Sequence, residues 1–260
     1  MTSARTGMLA AAGYAIEFEH ISGERCGPTL VLLHEGLGCV AMWRHFPTLL
    51  NGATGLPVFS YSRPGYGRSS AIALPRPLDF HSRDALDVLP HVLDAAGIDA
   101  CILIGHSDGA SIAVIYAGAT RDPRLRALVL MAPHVQTESK TVMNIAAAKR
   151  MFEASDLRDK LRHYHGDNVD CAFWGWCDAW LDADFRCWDI TAWLGSIDVP
   201  VLTLRGNDDP YNTSVHVERI ANEVGRQVTR VDLPDCGHAP HFDQGQRVLA
   251  AVMEFVATLG

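Results

Sequence analysis

A chain of 260 residues, 48% hydrophobic and 20% charged, can bury a full core, which sets aside the disordered and membrane-spanning classes. Its 22 basic and 30 acidic residues leave a formal charge of −8 with no run of Lys and Arg to track phosphates, so nucleic acid is not an expected partner. Seven cysteines are scattered at 26, 39, 101, 171, 177, 187 and 236 without a CxxC pair; they suggest neither a disulfide frame nor a zinc site, and fit a reducing cytoplasm.

The first apolar stretch, "MLAAAGYAI" at 8–16, meets Glu17 and Glu19 long before the ~20 apolar residues that a membrane span needs. It reads as the edge of a first strand. Short apolar runs then recur, each ending in a turn-forming residue: "TLVLLH" (29–34), "PVFSY" (57–61), "ACILIG" (100–105), "RALVLMAP" (126–133), "PVLTLRG" (200–206) and "QVTRVDLP" (227–234). Runs apolar on both faces predict strands covered on both sides, as in a parallel sheet. Helix-length segments at 82–96, 108–119, 213–224 and 243–258 lie between them, the first with Ala85, Leu86, Leu89 and Leu93 at helical spacing. Alternation of this kind predicts right-handed crossovers and an α/β body.

From 135 to 198 no strand-like run occurs. A stripe of Met151, Leu157, Leu161 and Tyr164 predicts helix, and five of the six tryptophans fall between Trp174 and Trp193. The chain is therefore expected to form one core from 1–134 and 199–260, with 135–198 as a helical cap or lid. No internal repeat or flexible linker interrupts this plan.

The segment "GHSDG" at 105–109 fits G-x-S-x-G and lies after a buried run and before a helix, where a sharp strand-to-helix turn exposes the serine. Ser107 is the nucleophile candidate; a chance glycine pair in a loop is the competing reading. A lone serine needs a base, and the base needs a group to orient it. Both types occur downstream, in "NDDPYN" after the run at 200–206 and in "DCGHAPH" after that at 227–234.

With "HEGLG" at 34–38, "YSRPGYGRS" at 61–69, the 105–109 segment, "GNDDP" at 206–210 and "GH" at 237–238 in order, the chain resembles the α/β-hydrolases over essentially its whole length. The resemblance implies an α/β-hydrolase fold, a mostly parallel central sheet flanked by helices with a helical lid insertion. It implies a triad of Ser107, Asp209 and His238, selecting Asp209 over Asp208 and His238 over His241. An HxxH metal pair of His238 and His241 lacks a third ligand, so no metal is expected. Oxyanion donors are implied at the backbone N–H of Asp108 and Gly36, with Leu37 as fallback because Glu35 stands where the family usually has glycine. Arg63 and Arg68 are expected to anchor loops.

The reaction expected from the resemblance is hydrolysis of a small carboxylic ester, thioester or lactone through an acyl-enzyme. A C–C bond hydrolase, an acyltransferase and a small-molecule receptor that retains the triad are the alternatives. Epoxide hydrolases and dehalogenases of this fold need a carboxylate nucleophile, whereas position 107 carries a hydroxyl. No GxGxxG or phosphate loop calls for a cofactor, and a monomer or homodimer acting on a small molecule is expected.

Glu35, Leu37, His106, His134, Trp174, Trp176 and Trp180 are the candidate substrate-binding residues, with Phe173, Trp188 and Trp193 as further aromatics able to line a pocket or pack the lid. Asp108 admits two readings. A carboxylate in the first turn of a helix suits the macrodipole; alternatively, G-x-S-D-G is similar to the motif of valacyclovir-hydrolase-like enzymes, which implies an acid that holds the ammonium of an α-amino-acid ester.

Overall fold

In the computed structural model, which describes residues 4–259, the N-terminal stretch is a hairpin rather than one strand edge. Strands β1 (Ala4–Ala11) and β2 (Tyr14–Ile21) pair antiparallel and turn on Ala12 and Gly13, both at positive φ, 51° and 80°. That geometry suits a two-residue hairpin turn, but an alanine at its first position hides it from a sequence reader.

The chain continues through β3 (Thr29–Leu33), α1 (Phe46–Thr54), β4 (Val58–Tyr61), α2 (Phe80–Arg83), α3 (Leu89–Ala96), β5 (Cys101–His106), α4 (Asp108–Thr120) and β6 (Leu125–Met131). Helices α5 (Ser139–Ala154), α6 (Leu157–His165) and α7 (Val169–Leu181) follow, then β7 (Val201–Gly206), α8 (Val215–Val224), β8 (Val228–Leu233), α9 (Pro240–Asp243) and α10 (Gly245–Ala257). The strands form one eight-stranded sheet in the order β1-β2-β4-β3-β5-β6-β7-β8, parallel from β4 to β8 with β1 and β2 antiparallel.

Strand β5 explains why the central runs are apolar throughout. Leu103 packs with α3 and α4 on one face, while Ile102 and Ile104 pack with α1 and α10 on the other. Two expectations fail at the periphery. β8 is an edge strand whose Thr229, Arg230 and Asp232 are exposed, so it is not covered on both sides; charge on an edge guards against edge-to-edge pairing. The 82–96 segment is helical throughout, as α2 and α3 joined by a wider turn over Asp84–Val88, with Ala85, Leu89 and Leu93 buried, but the expected inward facing of Leu86 fails, as it is exposed. Helix α1 lay outside the predicted elements, although Pro47 near its start and Gly55 at its left-handed end are ordinary helix boundaries.

Residues between β6 and β7 leave and return through a narrow neck. Gln136 bridges to Asp189, Thr137 N–H donates to Trp188 O (3.0 Å), and Ile190 N–H donates to Val135 O (2.9 Å). The helices in between lie over the carboxyl edge of the sheet: Thr141 donates to Tyr211 O (2.6 Å) and His165 Nε2 to Leu37 O (2.9 Å). The expected single stripe is broken at the extended Ser155 into α5 and α6, and Met151 faces solvent. Among the described residues, no helix is long and apolar enough to cross a membrane.

The two-faced burial of β5 leads to a stability prediction. Leu103→Ala should cost about 2–5 kcal/mol, read as a lower urea midpoint with unchanged slope.

Candidate active site

Six loops converge at the carboxyl edge of the sheet, and the one after β5 sets the geometry. Ser107 sits at φ 53°, ψ −117°, a conformation that costs a non-glycine residue roughly 1–3 kcal/mol. Its neighbours show why the strain persists. A Cβ on Gly105 would fall 2.6 Å from Ala110 Cα, and one on Gly109 would strike the carbonyl of Leu33 and lie 2.8 Å from that of His34. Only glycine lets α4 start this close to β3 and β5, and Ser107 N–H is tied to Met131 O at 3.0 Å.

His238, on the loop after β8, lies with Nε2 3.0 Å from Ser107 Oγ. Its Nδ1–H donates to Asp209 at 2.8 Å (Oδ2) and 3.0 Å (Oδ1), leaving Nε2 free to accept the serine proton. Asp209 is fully buried and also accepts the N–H of Tyr211 (2.7 Å) and Asn212 (3.3 Å). Burial alone would raise its pKa; the hydrogen bond and charge of His238, with the Tyr211 N–H, hold it below the usual carboxylate value. Asp208 is exposed, and its N–H donates to Cys236 O at 2.9 Å, which locks the loops after β7 and β8 together.

The loop after β3 hangs on one buried arginine. Arg63 donates through Nη1 to His34 O and through Nη2 to Glu35 O (3.1 Å), and the same Glu35 carbonyl accepts from His34 Nδ1 (2.7 Å) and Gly38 N–H (3.1 Å). The Gly38 turn leaves the N–H groups of Gly36 and Leu37 out of its bonding. At Gly36 a Cβ would overlap the Trp176 indole, so this position too requires glycine. The expectation that Arg63 anchors a loop holds.

A cavity of about 210 Å³ opens beside Ser107, lined by Glu35, Gly36, Leu37, Asp108, His134 and His238 from the sheet loops. Thr141, Ile145, Trp176, Trp180 and Tyr211 complete it. Trp174 is a correction: it lies outside the lining, edge-on to Phe152 and Phe173 and beneath Lys149 Nζ. Odd spacing decides this, since Trp176 and Trp180 are four apart on one face of α7 and Trp174 is on another. His106 is also not a lining residue; it is buried, donating from Nε2 to His238 O at 2.7 Å. Phe173 is buried and stacks on Phe152, while the half-buried Trp188 and Trp193 pack against the core, Trp188 on Phe185 and Trp193 against Gly118.

Asp108 stands in the first turn of α4, where a carboxylate suits the macrodipole, but its side chain is turned inward rather than toward a substrate ammonium. Its carboxylate is only 1% exposed, accepts from Trp180 Nε1 (3.3 Å) and faces His81 Nε2 at 3.3 Å. Burial pushes its pKa up, but the attraction of His81 and then of Arg63 outweighs this and brings it to about 2. This acid is an internal link between the Ser107 turn and α7.

Residues 30–251 match the alpha/beta hydrolase family. The chain belongs to that family. Among curated relatives, this hydrolase is 28% identical to epoxide hydrolase 4 of Mus musculus, over 54% of its own length and 38% of the mouse protein's. It is 23% identical to epoxide hydrolase A of Mycobacterium tuberculosis, over 92% and 93% of the two chains. In structure it is similar to a thermophilic esterase from Thermogutta terrifontis, with a TM-score of 0.75 and 21% identity over 98% and 99% of the chains.

Four positions of the hydrolase escaped sequence reasoning. Tyr211, whose ring centroid lies 4.7 Å from that of His238, follows the D-P pair that marks the acid loop. Thr141 and Ile145 share one helix face at i, i+4. His81 has no sequence signal, because its partner Asp108 is 27 positions away on another element.

The Asp108 environment yields a pH prediction. A depressed carboxylate contributes stability present above its unfolded pKa of 3.8 and lost as pH falls through about 2. Asp108→Asn should therefore cost on the order of 2 kcal/mol at pH 7, and its gap from wild type should narrow between pH 4 and pH 2 in urea titrations.

Proposed function

We propose that this hydrolase cleaves small carboxylic esters through an acyl-enzyme on Ser107. His238 takes the Ser107 proton as the hydroxyl attacks the carbonyl, and Asp209 keeps the imidazole in the required tautomer. The observation that carries this reading is the unbroken chain from Asp209 (2.8 Å to His238 Nδ1) through His238 Nε2 to Ser107 Oγ (3.0 Å).

The backbone N–H of Asp108 and of Gly36 hold the oxyanion. Asp108 is the first residue of the 13-residue helix α4, where unpaired N–H groups and the helix dipole favour developing negative charge. His238 then protonates the leaving alcohol, and water, activated by the same imidazole, releases the acid. Residues 135–198 serve as the lid on a core of 1–134 and 199–260, with Trp176 and Trp180 closing the cavity from above. Its volume of about 210 Å³ suits a short acyl or small aromatic group.

Of the two acids along the cavity, Asp108 is turned inward to His81 and Trp180 and Glu35 faces His106, so no free carboxylate waits for a substrate ammonium and an uncharged small ester is the favoured substrate. The likeness to two epoxide hydrolases does not bring their reaction with it. Opening an epoxide on this fold needs a carboxylate nucleophile, and the Asp108 carboxylate is aimed at His81 and Trp180.

Turnover of p-nitrophenyl acetate tests the reading. Ser107→Ala and His238→Ala should each lower kcat/KM by about 10³-fold or more, and the two together no further than either alone. Retained activity in Ser107→Ala would overturn it. An α-amino-acid benzyl ester and its des-amino analogue should turn over with kcat/KM values within about threefold of each other, whereas a preference of about tenfold for the amino ester would point to an ammonium site instead. Product analysis with competing alcohols separates hydrolysis from acyl transfer.

A further inference from the structure

Glu35 stands where the α/β-hydrolase pattern has glycine, and the fold gives this acid a partner. Its Oε2 lies 3.5 Å from Nδ1 of His106, the residue directly before Ser107. Across the ring, His106 Nε2 donates to the main-chain carbonyl of His238 at 2.7 Å. An imidazole that donates at one nitrogen and has a carboxylate 3.5 Å from the other is favoured in its imidazolium form.

The other groups around the pair leave that charge in place. His241, from α9, packs 4.9 Å from the His106 ring and is held neutral, its pKa lowered to about 3 by burial and by the charge of His106. The His238 ring is 5.2 Å away, with the Asp209 carboxylate behind it, and Trp43 closes the remaining side. Beside Glu35, His34 donates from Nδ1 and accepts Arg63 N–H at Nε2 (3.1 Å), which makes it neutral. Burial alone would strip the proton from His106; the Glu35 carboxylate 3.5 Å away overcomes this and raises its pKa, while His106 in turn draws Glu35 below its usual value. The carboxylate also folds over Gly38, where a Cβ would come 2.7 Å from Glu35 Cδ.

We propose that Glu35 and His106 are a positioning pair: an ion pair of a buried imidazole and a partly exposed carboxylate joining the loop that carries the Gly36 N–H to the loop that carries His238, so that oxyanion donor and base keep a fixed separation across Ser107. This rests on the serine-hydrolase reading above, since it assigns the pair no contact with the reacting atoms. Its working form has His106 charged. As pH rises through the elevated His106 pKa, the imidazolium is lost, the tie slackens and turnover falls. Neutralising Glu35 removes what elevates that pKa, so the alkaline fall moves to lower pH.

Steady-state kinetics on p-nitrophenyl acetate from about pH 5 to pH 10 test this in wild type, Glu35→Gln, His106→Asn and the double variant. The expected result is a kcat about tenfold or more lower in each single variant, with KM within about twofold, and a double variant no worse than the poorer single. In Glu35→Gln the alkaline limb should shift down by about one pH unit while the acid limb stays. An unchanged pH profile in Glu35→Gln, or single effects that multiply in the double variant, would overturn the proposal. Nitrogen NMR of the wild-type imidazoles reads the same point if a variant fails to fold: His106 should be protonated at both nitrogens at pH 7, and a neutral His106 would overturn it. Failure of the serine reading looks different, because Ser107→Ala would then keep the wild-type rate whatever His106 does.

Discussion

Everything at the site depends on how closely the first turn of α4 approaches the ends of β3 and β5. Backbone stands against backbone at positions 105 and 109, where a Cβ would collide with Ala110 and with the carbonyls of Leu33 and His34. That contact holds Ser107 at positive φ and carries its hydroxyl above the sheet. The buried faces of β5 supply the free energy that keeps so strained a residue in place, because its apolar side chains alternate between two separate cores. Strain here follows from the packing that makes the site.

Around this turn the protein uses buried charge where most folds use apolar packing. Arg63 holds the carbonyls of His34 and Glu35, and its Nε faces Asp84 at 3.3 Å. Arg76 stands 3.9 Å from the same carboxylate. Asp108 sits between His81 and Trp180. Buried pairs of this kind give little net stability, but removing one member leaves an uncompensated charge, so they fix geometry more than they add free energy. The loops carrying His34 and Ser107 are thereby held in defined positions around the turn.

Much of this was legible in the sequence because it is local or periodic. The runs from 29 to 234 appear as strands where apolar residues continue without polar interruption, and the motif glycines mark positions at which backbones touch. Asp209 lies just before the proline of its loop, so a local pattern points to it. What stayed hidden is long-range. The His81–Asp108 and Glu35–His106 pairs join residues on different elements, and no spacing announces them. Leu86, Met151 and Trp174 were misplaced for another reason: helical periodicity fixes a face, but tertiary contacts decide whether that face meets a core or solvent. The Ala12-Gly13 hairpin was missed because alanine rarely takes the left-handed conformation that the turn imposes.

The most direct test of the central claim, that Ser107 is an activated nucleophile, is the intact mass of the protein after incubation with a fluorophosphonate. One adduct on the wild type, absent from Ser107→Ala and from His238→Ala, is the predicted result. No adduct on the wild type, or one that persists in Ser107→Ala, would contradict the account.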